Sequence, residues 1–134
     1  MIAVDTSVVV AAFASWHDGH RSAAAVLARR PRIPAHVLIE SYSVLTRLPA
    51  PHRSPPEVVA TFLDEHFPQA PLSLPGPALR SLVHAAVAAR ISGGAIYDAL
   101  IAETAKRAGA TLLTRDRRAV STYERLAVRH ELIG

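Results

Sequence analysis

The sequence predicts an α/β protein in which a parallel sheet lies between two layers of helices, a three-layer α/β/α arrangement. Short apolar runs occupy residues 1–4 and 110–114, and each run is followed closely by a carboxylate, Asp5 or Asp116. Segments with the apolar spacing of helices lie between such runs. Strands that alternate with helices pair in parallel, because each crossover helix returns the chain to the same end of the sheet.

The chain is long enough to bury a substantial core without disulfides or structural zinc. It has 134 residues and no cysteine, and no linker, repeat or low-complexity segment divides it. We therefore expect a single domain over residues 1–134. The absence of cysteine also excludes a thiolate nucleophile and Cys-based metal sites, and it is consistent with a reducing compartment.

The elements follow in chain order from the N-terminal run. Residues 1–4 predict a buried strand closed by Asp5, and Thr6 and Ser7 are expected to cap the helix that continues to Phe13. Further helices are predicted over residues 20–30, 35–48, 55–67, 78–90, 95–108 and 117–126. Further strands are predicted around residue 33 and over 70–74, 110–114 and 127–128. Pro71 favours a sheet edge for the third strand, and Gly109 ends the helix before the fourth.

Composition and charge restrict the location and the partners. No apolar stretch approaches the roughly 20 residues that span a bilayer, so we expect a soluble cytoplasmic protein without a membrane partner. The net charge of +4 and the pI near 10.3 favour an acidic polymer as partner. However, Lys106 is the only lysine among 15 basic residues, and an Arg-rich proteome would produce the same charge. Charge therefore only supports what the carboxylates predict.

Four carboxylates are predicted to share one edge of the sheet. Ligand sites of open α/β sheets lie outside the carboxyl ends of the strands, where Asp5 and Asp116 are placed. Asp98 falls in the first turn of a helix that faces the same edge, and Glu40 joins them if its helix leans over the first strand. Singly, capping, the helix dipole or solvation accounts for Asp98, Asp116 and Glu40. A charge that ends a buried strand has no such explanation, so the four together indicate a functional site.

Such a cluster requires compensation. Two unit charges about 4 Å apart repel by roughly 4 kcal/mol at an effective dielectric constant of 20, so either some acids are protonated or a cation lies between them. Oxygen ligands without cysteine predict Mg²⁺ or Mn²⁺. Sites of this kind suit phosphodiester hydrolysis, in which a metal activates water and neutralises phosphate charge. The sequence therefore predicts a metal-dependent phosphoryl-transfer site.

Four segments in this order resemble the PIN-domain ribonucleases, and most closely the VapC-type toxins of bacterial type II toxin–antitoxin systems. They cover residues 4–8, 34–45, 97–102 and 113–116, and the similarity spans nearly the whole chain. The resemblance implies a five-stranded parallel sheet with strand order 3-2-1-4-5 and a homodimer. It also implies Mg²⁺- or Mn²⁺-dependent endonucleolytic cleavage of RNA that leaves 5′-phosphate and 3′-hydroxyl ends, and a cognate VapB-type antitoxin.

The resemblance also implies roles for individual residues. The acidic quartet of the family falls on Asp5, Glu40, Asp98 and Asp116, with Ser7 and Thr114 at supporting polar positions. The metal is expected on Asp5, Asp98 and Asp116, and Glu40 is expected to orient or deprotonate the attacking water.

Other positions near the last acid are less specific. Arg115, Arg117 and Arg118 flank it and are either RNA-binding residues or ordinary solvated arginines. The family often has an aromatic residue three positions after this acid, whereas Ala119 stands here. Elsewhere in the chain, the aromatic rings at positions 42 and 97 are interpreted as residues at the edge of the core rather than as platforms for bases.

Two alternatives belong to other classes of protein. A catalytically inactive PIN-fold module that binds RNA or protein would keep the fold without the acids, and all four acids are present. A receiver domain or an aspartate-phosphorylating phosphatase needs an acidic pair after the first strand, whereas Asp5 is followed by Thr6 and Ser7. A phosphoaspartate enzyme also needs a lysine near the site, and Lys106 lies at the end of its helix.

Overall fold

The computed structural model describes residues 1–134. A parallel sheet in the order β1-β2-β3 contains β1 (Ile2–Val4), β2 (Thr111–Thr114) and β3 (His130–Leu132). The register pairs Ala3 with Leu112 and Leu113 with Glu131. The helices are α1 (Thr6–Phe13), α2 (His20–Leu27), α3 (Ala35–Thr46), α4 (Pro56–His66), α5 (Gly76–Ala88), α6 (Ala95–Arg107) and α7 (Arg117–Arg125).

Two single bridges extend the sheet beyond β1. Ala3 bridges Arg32, and Pro34 bridges Leu72, both in parallel. The sheet order is therefore Leu72, Arg32–Pro34, β1, β2 and β3, which is the predicted order 3-2-1-4-5, and the α/β fold class is confirmed. The segments at Arg32–Pro34 and at Leu72 form only single bridges. Each contains or adjoins a proline, which lacks the N–H group that a ladder requires.

The last strand begins later than the sequence predicts. We expected it at residues 127–128, but Ala127 has a positive φ of 56° and the strand begins at His130. A residue in the left-handed region turns the chain out of an extended conformation. In contrast, Gly109 follows the C-cap of α6 with a φ of 71°, as predicted.

The core fixes the junction between β1 and α1. The helix α1 packs against α2, α3 and β2, and a fully buried Val or Leu contributes about 1.5–3 kcal/mol to stability. The residues of these elements without exposed surface include Val4, Val8, Val9, Leu112 and Leu113. This packing holds the end of β1 in place, where the first predicted site residue lies.

No helix combines the length and the apolar character that a membrane-spanning segment requires.

Candidate active site

An open cleft of about 460 Å³ lies at the carboxyl ends of β1 and β2, and all four predicted acids line it. Asp5 follows β1, and Asp116 follows β2 after one intervening residue. Asp98 lies in the first turn of α6, and Glu40 lies in the middle of α3. The fold thus brings the four carboxylates from four separate segments to one cleft.

Asp5 is buried and hydrogen-bonded on both carboxylate oxygens. It is the N-cap of α1, so the predicted cap at Thr6 or Ser7 was wrong; its Oδ1 accepts a bond from the backbone N–H of Val8 at 3.3 Å. The hydroxyl of Ser7 donates to the same oxygen at 2.5 Å. The residue between a strand and a helix has the extended backbone that an N-cap requires, here φ −92° and ψ 177°.

Tyr123 completes the environment of Asp5, and it was not among the site residues predicted from the sequence. Its phenol donates to Oδ2 of Asp5 at 2.9 Å, and the ring is fully buried. Tyr123 lies one turn after Ala119 on the same buried face of α7. The signal was available in the sequence: where the family often has its aromatic residue there is an alanine, and the next residue on that helix face is a tyrosine.

Burial dominates the electrostatics of this pair. Burial raises the pKa of Asp5 above its usual value, although bonds from Ser7 and Tyr123 act in the opposite direction. Burial and the neighbouring charge of Asp5 raise the pKa of Tyr123, so the phenol keeps its proton and remains a donor. An ionised Asp5 is thus oriented by fixed donors but lacks a compensating positive charge.

Ser7 and Thr114, the predicted supporting residues, connect α1 to the segment after β2. The Ser7 Oγ accepts from the backbone N–H of Arg115 at 2.8 Å, and the Thr114 Oγ1 accepts from that of Asp116 at 3.0 Å. The two hydroxyl oxygens are 3.5 Å apart. Together with Asp5 and Tyr123, these two residues form what we call the buried wall: Asp5, Ser7 and Tyr123 line the cleft, and Thr114 is buried next to Ser7. Their contribution to catalysis stays a prediction.

Glu40, Asp98 and Asp116 form the rim of the cleft. The carboxylate of Glu40 accepts a bond from the Thr6 hydroxyl and lies 3.6 Å from Nε2 of His36, one turn earlier on α3. Asp116 caps α7 by accepting from the backbone N–H of Arg118 at 3.0 Å. The side chains of Glu40 and Asp116 are each 36% exposed. Water therefore reaches the rim, in contrast to Asp5.

The pKa of Asp98 is affected by the other three acids. Partial burial and then the negative charges of Asp116, Asp5 and Glu40 raise its pKa to about 6. Arg118 acts in the opposite direction but does not offset them. The acids are therefore close enough to disfavour simultaneous ionisation.

The donors of the cleft suit a hard divalent cation. Asp5, Asp98 and Asp116 offer only oxygen atoms, which are the ligands preferred by Mg²⁺ and Mn²⁺. In the present side-chain positions, however, no three His, Asp or Glu groups are arranged to hold one ion together. At the rim, hydrogen bonds from Thr6 and Arg118 hold the carboxylates of Glu40 and Asp116. The match is thus one of ligand type, charge and common cleft.

The three predicted RNA-binding arginines differ in position. Arg115 and Arg118 line the cleft, whereas Arg117 does not. The guanidinium of Arg115 lies directly against Gly19, where an added Cβ would come within 2.1 Å of its Cζ. Arg118 is almost fully exposed, with Nε 3.6 Å from Oδ1 of Asp116.

The aromatic rings at positions 42 and 97 are not at the edge of the core. Tyr42 is 41% exposed and Tyr97 is 53% exposed, so the interpretation as core-edge residues was wrong. The ring of Tyr97 lies parallel to that of His36, with an interplanar angle of 3° and 5.1 Å between centroids. His36 is the same residue that approaches Glu40.

Known proteins are similar to this chain in fold and in sequence. Residues 2–125 match the PIN domain family. Ribonuclease VapC40 of Mycobacterium tuberculosis is 51% identical over 133 residues, covering 99% of each protein. The chain belongs to the PIN-domain ribonucleases of the VapC type. A second member of the family, Ribonuclease VapC27 of Mycobacterium tuberculosis, is 42% identical over 128 residues, which is 95% of this chain and 93% of the relative.

A solved structure extends the comparison of the PIN fold. The crystal structure of PAE2754 from Pyrobaculum aerophilum superposes with a TM-score of 0.59 and covers 96% of both chains. Its sequence is 22% identical, so this likeness supports the fold alone. The resemblance predicted from the four segments is confirmed.

Proposed function

We propose that this chain is a metal-dependent endoribonuclease, the toxin of a toxin–antitoxin pair, which acts in the cytoplasm. It hydrolyses RNA phosphodiester bonds and leaves 5′-phosphate and 3′-hydroxyl ends. The observation that carries the proposal is the cleft lined by Asp5, Glu40, Asp98 and Asp116. Its support is the 51% identity to a protein named Ribonuclease VapC40.

Asp5, Asp98 and Asp116 are the residues that would hold Mg²⁺ or Mn²⁺. A bound cation of this kind lowers the pKa of water and neutralises charge on the phosphate. The raised pKa values of Asp5 and Asp98 support this assignment, because Asp5 has no compensating positive charge and Arg118 offsets only part of the repulsion at Asp98.

The other residues of the cleft orient and bind. Glu40 orients the attacking water or accepts its proton, and Thr6 fixes one of its oxygens. Ser7 and Thr114 hold the segment that carries Asp116 against α1. RNA phosphates are bound by Arg115, Arg117 and Arg118, which also offset part of the repulsion between the acids and the RNA.

A VapB-type antitoxin is the proposed protein partner, and the chain is proposed to act as a homodimer. The rim offers an antitoxin two partly exposed carboxylates, Glu40 and Asp116. An arginine can pair with such carboxylates through two parallel hydrogen bonds and so replace a cation.

Cleavage of RNA by the purified chain tests the proposal. We expect cleavage with Mg²⁺ or Mn²⁺, none after chelation with EDTA, and products that a 5′-phosphate-dependent exonuclease degrades. The substitutions Asp5→Asn and Asp98→Asn should reduce cleavage by more than the roughly 10–100-fold that follows loss of an outer-shell partner.

A matched control separates the site from a general loss of acidic charge. Asp64 is exposed on α4 and does not line the cleft, so Asp64→Asn should cut at the parental rate. If Asp5→Asn and Asp98→Asn also cut at that rate, the assignment of the site is wrong. RNA binding without cleavage by the pure parent would instead favour the catalytically inactive PIN-fold module.

A further inference from the structure

An exposed aromatic pair lies beside the acidic cleft. Tyr97 immediately precedes Asp98 in the first turn of α6, and His36 lies one turn before Glu40 on α3. The two rings are parallel and stacked. The pair therefore joins the part of α6 that carries Asp98 to the part of α3 that carries Glu40. This pair, which we call the aromatic pair, has no place in the mechanism above.

Within the aromatic pair, Tyr97 stacks on His36 and is the more exposed ring. One face of Tyr97 rests on His36, whereas 53% of its surface is open to solvent. Nε2 of His36 is buried, has no hydrogen-bond partner and lies 3.6 Å from Oε2 of Glu40. A ring that is already oriented loses little conformational entropy when a second flat group stacks on it.

The cleft itself is a poor source of affinity for RNA. The four carboxylates repel phosphate groups, and they also repel one another. Arg115 and Arg118, which also line the cleft, offset part of this repulsion, and groups next to the cleft can add further attraction. Stacking on an aromatic side chain is well suited, because every base has a π face and the contact carries no charge.

We propose that Tyr97, supported by His36, is a stacking platform for a nucleobase of single-stranded RNA next to the scissile phosphate. The inference rests on the proposed ribonuclease function. It assigns the binding of a base to the α3–α6 side of the cleft, while the arginines contact phosphates on the side of β2 and α7.

RNA binding by Tyr97 variants tests the platform. The RNA is a short single-stranded cleavable oligonucleotide, and binding is measured by fluorescence anisotropy in an Asp98→Asn background, which prevents cleavage. Tyr97→Ala should weaken binding by about tenfold, the order of magnitude for loss of one stacked base. Tyr97→Phe keeps the ring and should rescue binding. In the Asp98-containing enzyme, the loss for Tyr97→Ala should fall on KM.

Two controls make the result specific. Tyr42→Ala removes a second exposed tyrosine, which lies on α3 and has no aromatic partner. This variant should bind the RNA as the parent does. An RNA that lacks the base beside the cleavage site should bind the parent and Tyr97→Ala equally well.

The opposite outcomes overturn the platform. Equal binding by the parent and Tyr97→Ala, or a loss that persists with the abasic RNA, excludes base stacking. A change in sedimentation of Tyr97→Ala without a change in RNA affinity would assign the ring to a contact between protein chains. A parent that neither binds nor cuts RNA would disprove the proposed function itself, which is a different result from a failure of Tyr97 alone.

Discussion

The buried wall and the rim hold carboxylates of the same cleft by different means. In the buried wall, Asp5 is 3% exposed, and donors from Ser7, Val8 and Tyr123 fix both of its oxygens. At the rim, Glu40 and Asp116 are partly solvated, and each accepts a hydrogen bond from a residue in the first turn of a helix, Thr6 of α1 or Arg118 of α7. The buried wall is therefore the rigid part of the site, and the rim is the adjustable part.

The difference shows where a site of this kind costs stability. A buried carboxylate requires donors that the fold must build, and loss of one donor leaves an unsatisfied group. A solvated carboxylate can exchange its partner for water or a ligand at small cost. Changes in the buried wall should therefore affect folding, whereas changes at the rim should mainly affect function.

The largest expected effect concerns Tyr123. Tyr123→Ala should lower the free energy of unfolding by about 3–5 kcal/mol, because it leaves a cavity in the core. Tyr123→Phe should lower it by about 1–3 kcal/mol, because Asp5 loses only one hydrogen bond. Chemical denaturation at neutral pH measures both. Tyr42→Ala, at an exposed position, should stay within about 0.5 kcal/mol of the parent; equal losses for Tyr42→Ala and Tyr123→Ala would contradict the rigid wall.

A smaller effect, of opposite sign, is expected at the rim. The pKa of Asp98 is raised from 3.8 to about 6, so between these values the folded state holds a proton that the unfolded state has released. The stability of the parent therefore falls as the pH rises from about 4 to about 6 and the contribution is constant above that range. Asp98→Asn removes this cost, so it should raise Tm at pH 7.5 in EDTA.

The pH dependence distinguishes this effect from a general one. The gain in Tm from Asp98→Asn should shrink as the pH falls towards about 4, because Asp98 then binds a proton in the unfolded state as well as in the folded state. Thermal unfolding monitored by circular dichroism at several pH values measures it. A gain of the same size at pH 4 and 7.5 would show that charge repulsion among the acids is not its cause.

The smallest effect on stability is expected at Gly19. The three atoms nearest to an added Cβ all belong to the guanidinium of Arg115, which is the end of a flexible side chain and can shift. Gly19→Ala should therefore change the free energy of unfolding by less than about 0.5 kcal/mol, while RNA affinity falls because Arg115 leaves its position. Unchanged affinity for RNA in an anisotropy titration would remove Arg115 from the RNA-binding residues.

Much of the fold could be predicted from local patterns. The helix α6 and the strand β2 lie where apolar spacing and Gly109 placed them. The strand after α7 was placed too early, because nothing in the apolar pattern reveals the positive φ of Ala127. Local patterns describe periodicity but not single residues in unusual conformations.

The site was predictable in its acids but not in their partners. The carboxyl ends of parallel strands meet at one edge, so Asp5 and Asp116 could be placed together from the sequence. The bond from Tyr123 to Asp5 depends on how α7 packs, which no local pattern specifies. The exposure of Tyr97 likewise depends on which face of α6 the neighbouring helices cover.

The bond between Asp5 and Tyr123 joins residues 118 positions apart. During synthesis, Asp5 is therefore made 118 residues before its hydrogen-bond partner. A contact of such sequence separation requires a long loop to close, which costs conformational entropy. The buried wall is therefore incomplete in a nascent chain, and a ribosome that stalls before α7 carries a fragment without the finished site.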